Sequence, residues 1–166
     1  MNTIFRFCIA FTLALVLSTA PAPAEEKNGM SVVVSKVTLD KKGSKDHSAY
    51  SSYERTDKTQ ALKVTVKNTS FKTMPEGEMT WKILVIGTYS STLHTGVEKV
   101  NALRPAESKE LIIGAAQVGA WKDYSGRGSE KTEHQITINQ GQKEIIKTQT
   151  TSSFDALAKR ASRSSQ

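Results

Sequence analysis

Between Leu62 and Val85 the chain alternates apolar and polar residues with a period of two. Leu62, Val64 and Val66 alternate with Lys63, Thr65 and Lys67, and Met79, Trp81, Ile83 and Val85 share one phase of the next segment. That period predicts two half-buried β-strands, with Trp81 at a core position. Around them the pattern predicts further strands. Ser31 to Asp40 is one, with Val33, Val37 and Leu39 expected inward. Lys41 to Asp57 reads as a long polar connection, which an edge strand near Tyr50 to Arg55 would shorten, and Gly87 to Val100 as one or two short strands. In Lys109 to Gly114, Leu111 and Ile113 point one way and Ile112 the other. Gln117 to Lys131 is a polar excursion, and Thr132 to Asn139 pairs with Gln142 to Gln149 over a Gln140-Gly141 turn. Asn68-Thr69-Ser70 and Met74-Pro75-Glu76-Gly77 supply turns. About seven strands separated by turn signals predict an all-β, two-sheet, immunoglobulin-like sandwich.

After Thr151 the period changes. Phe154, Leu157, Ala158 and Ala161 fall at i, i+3, i+4 and i+7, the stripe of a short amphipathic helix. Ser152 is placed to cap it, with Asp155 in the position of a weak capping box. In the Trp81 strand, Leu84 and Ile86 make the outer face apolar as well. That face calls for a cover, either this helix or another protein.

The first 24 residues read differently. Arg6 precedes an apolar run from Phe7 to Leu17, and Ala22-Pro23-Ala24 forms a small-residue cleavage site. This is the layout of a secretory signal peptide, too short to span a bilayer. The expected organisation is a signal at 1–24, a sandwich at 25–151 and a helix with a basic tail at 152–166. The chain is expected to be exported, to the periplasm, the outer-membrane surface or the medium, with no transmembrane segment after cleavage. The only cysteine, Cys8, leaves with the signal, so the remaining 142 residues form a disulfide-free domain. The 22 Lys and Arg against 16 acidic residues after position 24 leave about +6, spread along strands and turns rather than in blocks. That spacing suits solubility and guarded edges. Nucleic acid is not an expected partner, because no aromatic-basic motif is present.

Candidate chemistry is sparse. His47, His94 and His134 stand singly, without metal-site spacing. The sequence offers no catalytic residues, no metal ligands and no cofactor motif. Ser125 to Ser129 is glycine-rich but lacks a nucleophile elbow or phosphate-loop pattern. Its neighbours Trp121 and Tyr124, with Arg127 inside it, are candidate binding residues, since loop aromatics stack on sugar rings. The alternative is that Trp121 plugs the end of the core. Leu84 and Ile86 are the candidate contacts for a protein partner.

LKVTVKNTS, a Trp-bearing strand and the Leu103 to Leu111 run L-x-P-x-E-S-x-E-L together resemble bacterial immunoglobulin-like adhesion and accessory domains. With the signal and the FDALAKRA helix added, the chain is similar to small exported immunoglobulin-like proteins found near type IV pilus genes in verrucomicrobial gut bacteria. The resemblance implies a non-catalytic binding or assembly role at the cell envelope, with an envelope or pilus-like protein or a second copy as partner. A carbohydrate-binding module using the loop aromatics is the alternative.

Overall fold

Val32 and Val34 lie directly across the ladder from Val66 and Val64, and all four are buried. This register sets the inner face of the first sheet. In the computed structural model, which describes residues 24–48, 51–88, 90–123 and 126–164, the ladder belongs to a five-stranded antiparallel sheet ordered β1-β2-β3-β6-β7. Its strands are β1 (Glu25–Lys27), β2 (Met30–Ser48), β3 (Ser51–Asn68), β6 (Ser108–Asp123) and β7 (Gly126–Ser129). Facing it is a four-stranded sheet ordered β5-β4-β8-β9, from β4 (Gly77–Ile86), β5 (Ser91–Val100), β8 (Lys131–Gln140) and β9 (Lys143–Gln149). The chain changes sheet between β3 and β4, between β5 and β6, and between β7 and β8. This is the Greek-key connectivity of an immunoglobulin-like sandwich, with β5 pairing to β4 instead of returning to the first sheet. The expected sandwich is therefore present: the described residues form seven long strands, two short edge strands and one short helix, α1 (Phe154–Ser164).

The interlayer core draws Met30, Val32, Val34, Leu62, Val64 and Val66 from one sheet and Met79, Ile83, Val85, Ile136, Ile138 and Ile146 from the other. Trp81 packs against it, as its phase predicted. Ile113 is buried and Ile112 is 64% exposed, also as predicted.

Several expectations are corrected. Val33, Val37 and Leu39 are not the inward set, and Leu39 is 54% exposed. The run Val32-Val33-Val34 is apolar on both faces, so alternation alone left the phase open, and pairing with β3 decided it. The inward phase then continues into Lys36. The stretch from Lys41 to Asp57 is no loop: β2 and β3 continue through it as one hairpin, paired from Met30↔Asn68 to Ser48↔Ser51. The 117–131 excursion is likewise mostly β6 and β7. Glu25 to Gly29 forms β1 and a two-residue turn in which Asn28 and Gly29 both take positive φ (54° and 74°). Asn-Gly between paired strands is a strong hairpin signal. Tyr50, Tyr89 and the proposed signal segment up to Pro23 lie outside the described residues.

The helix docks on its own sandwich. Leu84, Phe154, Ala158 and Ala161 form a second buried cluster, flanked by Ile86, Leu93 and Leu157. No Ser152–Asp155 capping box forms. The helix begins at Phe154, and the Asp155 carboxylate accepts hydrogen bonds from Gln135 Nε2 (2.8 Å) and Lys147 Nζ (2.9 Å). Tertiary partners win over the local cap because they bring a charge-assisted bond.

Candidate functional site

Past Leu62 and Ile113, β3 and β6 run on toward the far end of the first sheet. Gly114, at φ +59°, marks the bulge where the register shifts between Ala61 and Leu62. Beyond it, none of the described side chains from 39 to 58 joins the interlayer core. Here Arg55 pairs with Trp121, and Trp121 with Gly128, across three adjacent strands. Residues two apart on a strand share a face, so Tyr53, Arg55, Trp121, Asp123, Gly126 and Gly128 lie on one side. Together with Arg127 and Thr88 they line an open cleft of about 580 Å³, a volume typical of a small-molecule site.

The sequence dictates its rigidity. The Trp121 indole lies directly over Gly128, where a Cβ would come within 2.2 Å of Cζ2 and 2.7 Å of Nε1. Only glycine fits beneath that ring. Trp81 repeats the arrangement over its cross-strand neighbour Gly96, where a Cβ would come within 2.3 Å of the indole. Arg55 donates from Nε to both Asp57 oxygens (2.9 and 3.1 Å), and this carboxylate and the Tyr53 hydroxyl raise the guanidinium's pKa. Asp123 Oδ1 accepts from the Gly126 amide (3.0 Å). Among the described residues Arg127 has no ion-pair partner.

Of the sequence candidates, the structure brings Trp121 and Arg127 to this cleft. Trp121 is half-buried beside it and is not a plug in the core. Tyr124 lies outside the described residues. Leu84 and Ile86 sit on the other sheet, and Leu84 is 1% exposed beneath α1, so it offers no surface while the helix is docked. Tyr53 and Arg55 were missed as site residues. Their signal was the Tyr-x-Arg spacing in a long connection for which a short edge strand was expected; only its pairing with β6 shows that they face Trp121.

A second cavity, of about 360 Å³, opens at the end of the sandwich between Lys36, Gln60, Val118, Glu130 and Thr132. The Lys36 ammonium donates to the Thr132 carbonyl, and desolvation there lowers its pKa, with Glu133 opposing. Glu130 accepts the Gly119 amide (2.7 Å). His134, 4% exposed, is held to a pKa of about 4 by burial and by Lys36, with Glu133 opposing. Its Nδ1 has no partner. No nucleophile stands in a hydrogen bond with it, and no cluster of three His, Cys, Asp or Glu side chains occurs among the described residues.

The open edges complete the picture. β9 is approached by β1, and Asn28 Nδ2 donates to the Ile145 carbonyl (2.9 Å). β6 carries the Gly114 bulge and, at its far end, β7. β5 carries no bulge and no further strand, and α1 packs beside it through Leu93. The strand pairs with β4 in unbroken register from Gly77↔Val100 to Ile86↔Ser91 and ends its sheet.

No family model matches the chain, and no curated protein matches it. Two solved structures show an overall likeness. One is the X-ray structure of a Northeast Structural Genomics Consortium target, with a TM-score of 0.35 and 9% identity over 77% of this chain and 91% of that one. The other is a crystal structure from Akkermansia muciniphila, with a TM-score of 0.30 and 13% identity over 78% of this chain and 75% of that one. At these TM-scores neither likeness carries an argument for family or function. No helix among the described residues is long and apolar enough to cross a membrane.

Proposed function

We propose that the chain is a non-catalytic, exported cell-envelope protein that assembles with a second copy by strand addition along β5, as a subunit of a pilus-like array. One observation carries this reading. From Ser91 to Val97 the edge strand contains no Lys, Arg, Asp, Glu or Pro and no bulge, its charges Glu98 and Lys99 being confined to its last residues, and Val97 is 59% exposed. Edge strands ordinarily carry such guards because their unpaired N–H and C=O groups recruit other strands. The signal-like N-terminus supplies the export route, and the resemblance to pilus-associated proteins supplies the context. The Leu84 and Ile86 face, covered by α1, is replaced in this role by the β5 edge.

The test is light scattering after size exclusion on the chain from Glu25, from micromolar to millimolar concentration. The native protein is expected to dimerise or grow larger. Thr95→Lys with Val97→Lys places two charges on the exposed face of β5 and is expected to leave a folded monomer. A native chain that stays monomeric throughout would reject assembly through this edge.

A further inference from the structure

We infer that the cleft formed by β3, β6 and β7 is a binding site for an acidic sugar, with Trp121 as the platform for a pyranose ring and Arg127 and Arg55 reaching its carboxylate or sulfate. Three features of the cleft point to this ligand class. The first is a rigid aromatic wall: the Trp121 ring is seated on Gly128 and borders the cleft, with Tyr53 at the rim. An aromatic ring already fixed in place loses little freedom on binding and offers a large apolar surface to the C–H face of a sugar. The second is mixed polarity. Thr88, Asp123 and the Tyr53 hydroxyl can exchange hydrogen bonds with sugar hydroxyls, which need both donors and acceptors.

The third feature is charge. Arg55 is oriented by Asp57, whereas Arg127 is exposed and has no ion-pair partner among the described residues. An arginine fork matches a planar or tetrahedral oxyanion. Covering Gly128 would account for the indole alone, as an aromatic does over an edge glycine. It would not account for Tyr53 and Arg55 meeting Trp121 on one face. The β5 edge contributes no lining residue to this cleft, so either proposal can fail without the other.

Calorimetric titration of the chain from Glu25 tests it with four probes: tetragalacturonate, a sulfated chondroitin tetrasaccharide, cellotetraose and inorganic sulfate. At least one acidic tetrasaccharide should bind about tenfold tighter than cellotetraose, since one charge-assisted contact is worth roughly that factor. Binding of tetragalacturonate identifies the carboxylate as a group that is read, whereas binding of the chondroitin probe without tetragalacturonate points to the sulfate, since chondroitin carries both groups. Arg127→Gln should weaken it about tenfold and reduce its salt dependence, leaving the circular dichroism unchanged. Trp121→Phe, which keeps a ring over Gly128, should weaken all oligosaccharides severalfold. The proposal is overturned if no oligosaccharide binds or if cellotetraose binds as well as the acidic probes. Sulfate binding as tightly as the tetrasaccharides, or unchanged affinity in Arg127→Gln, would overturn it equally.

Discussion

Asn68 is fully buried at the end of β3, and its amide is spent on four hydrogen bonds to three residues. Nδ2 donates to the carbonyls of Lys72 (2.8 Å) and Leu103 (2.9 Å), while Oδ1 accepts from the amide (2.9 Å) and hydroxyl (2.8 Å) of Ser70. It ties the β3–β4 connection to the segment before β6. Asn68→Ala removes all four bonds and leaves the Ser70 amide without its acceptor, while the Lys72 and Leu103 carbonyls keep Ser70 Oγ and the Met74 amide as donors, so urea unfolding should show a loss of about 2 kcal/mol. Sequence reading saw a turn here, since Asn-Thr-Ser is turn chemistry. It could not see the reach to Leu103, which lies 35 residues away. His134 makes a second residue-scale prediction. Its folded pKa of about 4 lies below the ordinary histidine value of 6.5, so as the pH falls the unfolded chain takes the proton first. Stability is retained above pH 6.5 and lost between 6.5 and 4, by roughly 3 kcal/mol. In His134→Leu, denaturant midpoints measured across that window should vary less with pH. The Asp155 carboxylate, held below its usual range by Gln135 and Lys147, acts only at lower pH. The sequence placed His134 in phase with Ile136 and Ile138, at the end of a strand; its titration depends on Lys36, which comes from a different sheet.

At the scale of elements, α1 is held by the sandwich rather than by its own propensity. Eleven residues are too few to stay helical in water alone. The fully buried Phe154 anchors it to Leu84. Phe154→Ala should cost about 3 to 5 kcal/mol and expose Leu84, Ile86 and Leu93. The expected readouts are a lower denaturant midpoint and a gain in ANS fluorescence; an unchanged midpoint would mean that the helix does not hold the face closed. The stripe was legible because helical period is a local property. Its cap was not, because Asp155 is claimed by Gln135 and Lys147 from other elements. The long β2–β3 hairpin was read as a connection for a related reason. Its outer half is polar on both faces, so it lacks the alternation by which strands are recognised, and its ladder is made by backbone groups alone.

At the scale of the whole molecule, stability is divided between a packed sandwich and a strand extension with almost no core of its own. Native-state hydrogen exchange should show this. Amides of 40–44 and 53–58 are expected to exchange much faster than those of 62–66, whose side chains Leu62, Val64 and Val66 belong to the interlayer core. Equal protection would mean that the extension is stabilised by something beyond its ladder. The division also bears on function: the core is the part that sequence pattern describes best, and the candidate cleft lies on the part it describes least. By itself the sequence determined the all-β class, the core phase of Leu62 to Val85, the β8–β9 hairpin and the apolar stripe of α1. Each of these is a local period that burial reads out directly. Tertiary structure alone decided which face of β2 is buried, what covers Leu84, and that Tyr53, Arg55 and Trp121 meet. These depend on the register of strands far apart in the chain. Shifting a register by one residue reverses every face while leaving the sequence pattern almost unchanged.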